Sequence, residues 1–140
     1  MSKIMGIDYG QKRIGVALSD ELQMFASPYS TIINTNREEI ILKLTEIIQK
    51  EGVIKIVVGV PYYLDGTSSK QTEEVLRFIR HLKNNLTLPI ETFDERYSSS
   101  EARDILNKKK KTVKESKENI DQIAAAIILQ NYLHSEDKGK

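Results

Sequence analysis

The 140-residue sequence contains no cysteine. That absence excludes disulfides, thiolate metal sites and cysteine nucleophiles together. Histidine is scarce, with two in the chain. His81 falls on the polar face of a predicted helix with Arg77, and His134 lies at a helix end, where a cation suits the dipole. Neither supports a histidine-based mechanism. No apolar run approaches the ~20 residues of a membrane span. No basic-apolar-small leader precedes the first strand pattern, which points to a cytoplasmic protein with no membrane partner. A large excess of charge is also missing: 21 basic and 20 acidic side chains leave a net charge of +1. Nucleic-acid binding therefore has to come from local clustering of charge. What is present, 39% hydrophobic and 29% charged residues, suits one soluble globular domain with a real core.

The pattern assigns that domain to residues 1–134 and a disordered tail to residues 135–140. Residues 3–9 and 14–20 read as strands joined by Gly10-Gln11-Lys12-Arg13. Residues 24–33 read as a third strand, with Pro28 suggesting an edge or a bulge. A helix follows from Arg37, with Asn36 and Glu39 as a capping box and Gly52 as the stop. Residues 53–60 are almost continuously apolar, as in a central strand covered on both faces. A helix from Ser68 to Asn84 and a short strand from Pro89 to Asp94 come next. Ser98 and Glu101 suit the cap of a short helix ending at Asn107, and a last helix runs from Asn119 to His134. The order predicts an α/β fold: a five-stranded mixed sheet with helices on both faces. Strands 1–3 would be antiparallel and strands 4 and 5 parallel, with strand 1 between strands 2 and 4.

Asp8 ends an otherwise apolar strand, where an unpaired carboxylate is costly. It could pair with Arg13 or cap a turn; a metal ion answers the cost better. Asp94 and Glu95 end the fifth strand, and neighbouring strand residues point to opposite faces, so Glu95 is preferred over Asp94. Asp121 lies in the first turn of the last helix and shares a face with Ala124, Ala125 and Ile128. Those alanines would let the helix approach the sheet and carry Asp121 toward Asp8. Three converging carboxylates repel one another unless a cation intervenes. Oxygen-only ligands suit Mg²⁺ or Mn²⁺, and two ions with substrate bound would support phosphodiester hydrolysis.

Lys108, Lys109, Lys110, Lys111 and Lys114 form a basic run just before the last helix, well placed to hold a nucleic-acid backbone. Lys12, Arg13 and Arg96 lie near the acids and could contact phosphate. Ser98 is first a helix cap and secondarily a phosphate contact. Tyr62 and Tyr63 suit base stacking or packing on the sheet equally. Asp20 and Asp65 read as turn residues.

Four segments in order resemble the YqgF/RuvX family, whose names refer to Holliday junction resolution and pre-16S rRNA processing. They are Gly6-Ile7-Asp8-Tyr9-Gly10 with Lys12 to Ala17; Val58-Gly59-Val60-Pro61 with Asp65-Gly66-Thr67; Asp94-Glu95-Arg96 with Glu101-Ala102; and Ile120-Asp121 with Ala124-Ala125 and Ile128-Leu129-Gln130. The resemblance implies an RNase H-like fold and a metal-dependent nuclease with Asp8, Glu95 and Asp121 as catalytic and metal-binding acids. It implies precursor rRNA as substrate, with ribosomal particles as partners, or branched DNA, acted on by a monomer or weak homodimer. A non-catalytic RNA-binding assembly factor is a third expectation. Ser98 and Ser99 stand where the family usually has threonines, and a fourth acid has no clear candidate.

Overall fold

The computed structural model describes residues 2–98 and 117–138. The first two strands, β1 (Lys3–Tyr9) and β2 (Arg13–Ser19), form an antiparallel pair, and β3 (Ala26–Ile33) continues the meander. Asp20 organises the turn into β3: its Oδ1 accepts the Met24 and Phe25 N–H groups at 2.8 and 2.9 Å. β3 is an edge strand, and its register against β2 shifts where Val16 faces Ser30 and Ala17 faces Pro28. Pro28 is thus accommodated by both devices open to a strand proline, an edge and a bulge.

Helix α1 (Arg37–Glu51) begins at Asn36, whose side chain accepts the Glu39 N–H at 2.9 Å. The reciprocal half of the expected box is replaced: the Glu39 carboxylate takes the Thr35 hydroxyl at 3.0 Å. α1 stops at Gly52 in the left-handed region, at φ 71°. Strand β4 (Val53–Val60) pairs parallel with β1, and β5 (Ile90–Asp94) pairs parallel with β4. Between them lies α2 (Lys70–Asn85), opened by a true capping box of Ser69 and Thr72. The sheet order is β3-β2-β1-β4-β5, so β1 is central, as its apolar run requires.

A single 3-10 turn, Glu95–Tyr97, follows β5, and α3 (Lys117–Lys138) completes the described chain. α3 runs past His134, so residues 135–138 are helical where a disordered tail was expected. The apolar period does end there, but helix hydrogen bonding needs no buried face, and the Ser135 hydroxyl donates to the Tyr132 carbonyl at 2.9 Å. The expected helix from Ser98 to Asn107 and the lysine run lie outside the described residues, except for Ser98 itself.

The sheet is covered on both sides. Met5, Ile7, Val16 and Val58 pack against Ile40 and Leu44 of α1 and Phe78 and Leu82 of α2. Ile4, Ala17 and Val57 pack against Ala125, Leu129 and Leu133 of α3. Buried Gln130 of α3 also clamps the edge: its Oε1 accepts the Ala26 N–H and its Nε2 donates to the Met24 carbonyl. No helix among the described residues is long and apolar enough to cross a membrane.

Candidate active site

Strand alternation sorts the polar side chains onto the α3 face. On β1 that face carries Ile4, Gly6 and Asp8; on β2 it carries Arg13, Gly15 and Ala17. Glycine floors the approach of α3. A Cβ on Gly15 would overlap the Asp121 carbonyl, and one on Gly6 would lie 2.7 Å from Leu129 Cβ. Only a strand without side chains at these points admits the helix backbone. Asp8 stands opposite Gly15 in the β1–β2 ladder, so Asp121, whose backbone rests on Gly15, is delivered beside Asp8.

Electrostatics records the meeting. Burial, and then the Asp121 carboxylate, raises the Asp8 pKa to about 6. Burial, and then Asp8 and Asp94, raises Glu95 to about 7. Glu95 Oε2 lies 3.2 Å from the Cβ position of Gly59, over the end of β4. Asp94 has the opposite environment. Its carboxylate is gripped by Arg96, with Nη2 at 2.6 Å, and that hydrogen bonding holds it below the usual carboxylate range. Two adjacent acids are thus separated by direction alone: one is desolvated in the site, the other neutralised outside it.

Asp121 is paired. Arg13 Nε donates to its Oδ2 at 2.6 Å. Arg13 therefore partners Asp121 across the site rather than Asp8. Among the described residues no three histidine, cysteine or acidic side chains are gathered closely enough to hold a metal as they stand. The donor chemistry nonetheless fits a hard divalent cation: Asp8 and Glu95 are desolvated carboxylates, each raised further by a neighbouring acid, and Asp121 is the acid acting on Asp8.

A cleft of about 560 Å³ opens beside Asp121, with Lys12, Arg13, Lys70 and Gln71 on its walls. Gln11 bridges it, donating to Glu74 at 3.3 Å. Lys70 and Gln71 went unnoticed in the sequence because they look like an ordinary exposed first helical turn. The three floor glycines, Gly6, Gly15 and Gly59, did carry a signal, since glycine inside a strand marks close backbone approach. A second cleft, of about 380 Å³, lies at the other end of the sheet by Ile4, Lys55 and Tyr132 and contains none of these acids. Arg96 has its Nε and Nη2 on Asp94 and its Nη1 on the Leu64 carbonyl, so a phosphate contact would compete with Asp94. Ser98 is exposed at the end of the 3-10 turn, where its N–H donates to the Glu95 carbonyl at 3.3 Å. Lys108, Lys109, Lys110, Lys111 and Lys114 lie outside the described residues.

The family described as "RuvX: Holliday junction resolvase" matches residues 2–135. The chain belongs to the RuvX family. Related sequences agree along their whole length. A protein of Thermosynechococcus vestitus named "Putative pre-16S rRNA nuclease" is 38% identical over 138 residues, covering 99% of this chain and 91% of that protein. One of the same name from Desulforamulus reducens is 42% identical over 136 residues, covering 97% and 99%. Among solved structures, RuvC of Thermus thermophilus in complex with a Holliday junction substrate superposes with a TM-score of 0.65 at 12% identity, over 100% of this chain and 98% of that one. The fowlpox virus Holliday junction resolvase gives 0.53 at 12% identity, over 95% and 99%. These likenesses place the RuvX chain in the RuvC-like, RNase H-like fold, as its sheet order already indicated.

Proposed function

We propose that this protein is a metal-dependent nuclease that hydrolyses phosphodiester bonds, with precursor 16S rRNA as substrate. The observation that carries the reading is the pair Asp8 and Glu95, both desolvated and both raised in pKa, at the same end of the sheet as Asp121. Buried acids with displaced proton affinities in a cleft are functional-site chemistry. The names of the relatives supply the substrate class.

Asp8 and Glu95 would hold a divalent cation, Mg²⁺ or Mn²⁺, with Asp121 as the third acid; when bound it supplies the Lewis acidity that activates a water and stabilises the leaving oxygen. The rest falls to the chain itself. Arg13 orients Asp121 in the absence of substrate, and its guanidinium lies on the wall of the cleft where it can meet an incoming phosphate. Lys12 and Lys70 draw the backbone into the cleft. The lysine run before α3 extends that attraction.

The test is a metal-titrated cleavage assay on precursor 16S rRNA and on a four-way DNA junction, with Asp8→Asn as control. The expected result is cleavage of the rRNA that Asp8→Asn reduces about 100-fold or more. Cleavage that survives Asp8→Asn overturns the assignment of the acids, and no cleavage of either substrate with Mg²⁺ or Mn²⁺ overturns the reading in favour of a non-catalytic RNA-binding factor. Junction resolution is the second reading, favoured by the family description and the RuvC-like fold. It requires paired cuts by a dimer, so a monomer on junction DNA by mass measurement removes it.

A further inference from the structure

Glu95 shares its 3-10 turn with Arg96 and Tyr97, and both are exposed. Arg96 is held as a plate. Its Nε lies 3.1 and 3.0 Å from the two Asp94 oxygens, its Nη2 lies 2.6 Å from Oδ2, and its Nη1 lies 3.4 Å from the Leu64 carbonyl. A guanidinium tied at three nitrogens cannot turn its plane freely. Its carbon sits 5.6 Å from the centre of the Tyr62 ring and 5.8 Å from that of Tyr97, within cation–π reach of both.

The loop that closes over this plate is itself tied down. Tyr62 bridges to Ser68, Tyr63 N–H donates to the Thr67 carbonyl, and Asp65 Oδ1 accepts both the N–H and the hydroxyl of Thr67. Gly66 has φ +90°, and a Cβ there would meet Arg96 Nη1 at 3.1 Å, so the turn needs glycine for its backbone and for its closeness to Arg96. The product is a fixed aromatic surface that is left uncovered among the described residues. Tyr97 is 71% exposed and Tyr63 is 58% exposed. Rings held by a cation plate, rather than buried, are suited to stack on a further flat π system.

We propose that Tyr97, held on Arg96 beside Tyr62, is a stacking platform for one unpaired nucleobase next to the phosphate at the acids. The proposal rests on the nuclease reading for the phosphate's position and deepens it: the strand should be unpaired beside the cut. A base inside a duplex keeps both faces covered by its neighbours and offers none to Tyr97. Every base has a π-face, so the platform selects strand state and not sequence. Arg96 acts here through the rings, as a positioning residue, because its donors face Asp94 and Leu64.

The experiment measures binding of a short fluorescent RNA, alone or annealed to its complement, by anisotropy in EDTA so that nothing is cut. Tyr97→Ala should weaken the single strand about tenfold and leave the duplex unchanged. Tyr97→Phe, which keeps the ring, should behave as wild type. Arg96→Lys, which keeps the charge and loses the plane, should weaken the single strand and spare the duplex. Circular dichroism of each variant establishes that it folds. Equal losses on both RNAs, or no loss on the single strand with Tyr97→Ala, overturn the platform. Its failure and that of the nuclease reading separate cleanly. Wild-type protein that discriminates strand state but cuts nothing with Mg²⁺ keeps the platform and loses the nuclease. Protein that cuts rRNA while Tyr97→Ala binds as wild type loses the platform alone.

Discussion

The two faces of the sheet are built by opposite rules. The face under α1 and α2 is filled with bulk: Met5, Ile7, Ile14, Phe78 and Leu82 are all buried. Tyr9 stacks on Phe78 there, with ring centres 4.3 Å apart. The face under α3 also buries Ile4, Val57 and Phe93, but where the helix comes closest it is made of small residues, Gly6, Gly15, Ala17 and Gly59 against Ala125 and Ala126. Bulk maximises apolar area removed from water. Smallness gives up that area and gains proximity, bringing the first turns of α3 within reach of the end of β1. One face is therefore chiefly for stability and the other chiefly for geometry. The acids sit on the second.

That contrast can be broken in four ways. The largest expected effect is on the bulky face: Phe78→Ala should cost about 3–5 kcal/mol of stability in urea unfolding. Cleavage per folded molecule should survive it. Gly15→Ala should cost less stability, about 1–3 kcal/mol. Its activity, normalised to folded protein, should nonetheless fall about 100-fold, because Asp121 is pushed away from Asp8. If Gly15→Ala cleaves normally, the closeness of α3 has no functional meaning.

The third effect is electrostatic. Asp8 at about 6 and Glu95 at about 7 both lie above their ordinary values, so the folded metal-free protein binds these protons more tightly than the unfolded chain does. Their contribution to stability is complete below about pH 4 and is lost as pH rises through 6 and 7. Asp8→Asn should accordingly stabilise the protein in EDTA at pH 8 by on the order of 1–3 kcal/mol, and flatten its melting temperature between pH 5 and pH 8. Added Mn²⁺ should stabilise wild type more as pH rises, because the ligands must be ionised, and should not stabilise Asp8→Asn. The smallest effect is at the cleft: Lys12→Gln should reduce the slope of log affinity against log salt by about one, without changing strand preference.

Much of this architecture is local enough to read from the residues. β1 and β4 fall at residues 3–9 and 53–60, as their largely apolar runs indicate. Asn36, Gly52, Pro28 and Asp20 each act through their own backbone neighbours, and each does what its chemistry suggests. The preference for Glu95 over Asp94 rests on strand alternation, whereas Glu95 lies just past β5 in the 3-10 turn. Other features depend on partners far along the chain. Arg13 is 108 positions from Asp121, and nothing in the local sequence of either residue names the other. Arg96 likewise meets the Leu64 carbonyl, 32 positions away, and the Tyr62 ring. α3 continues past His134 because helix hydrogen bonds go on where the apolar period stops.

By itself, then, the sequence determined the strands, their order and the two-sided cover, because periodicity, caps and turn chemistry act within a few residues. The tertiary structure alone decided the surroundings of the candidate acids: Asp121 is paired with Arg13, and Asp8 and Glu95 are desolvated beside other acids. Pairing and desolvation are sums over everything packed nearby, and only the folded chain brings those neighbours together.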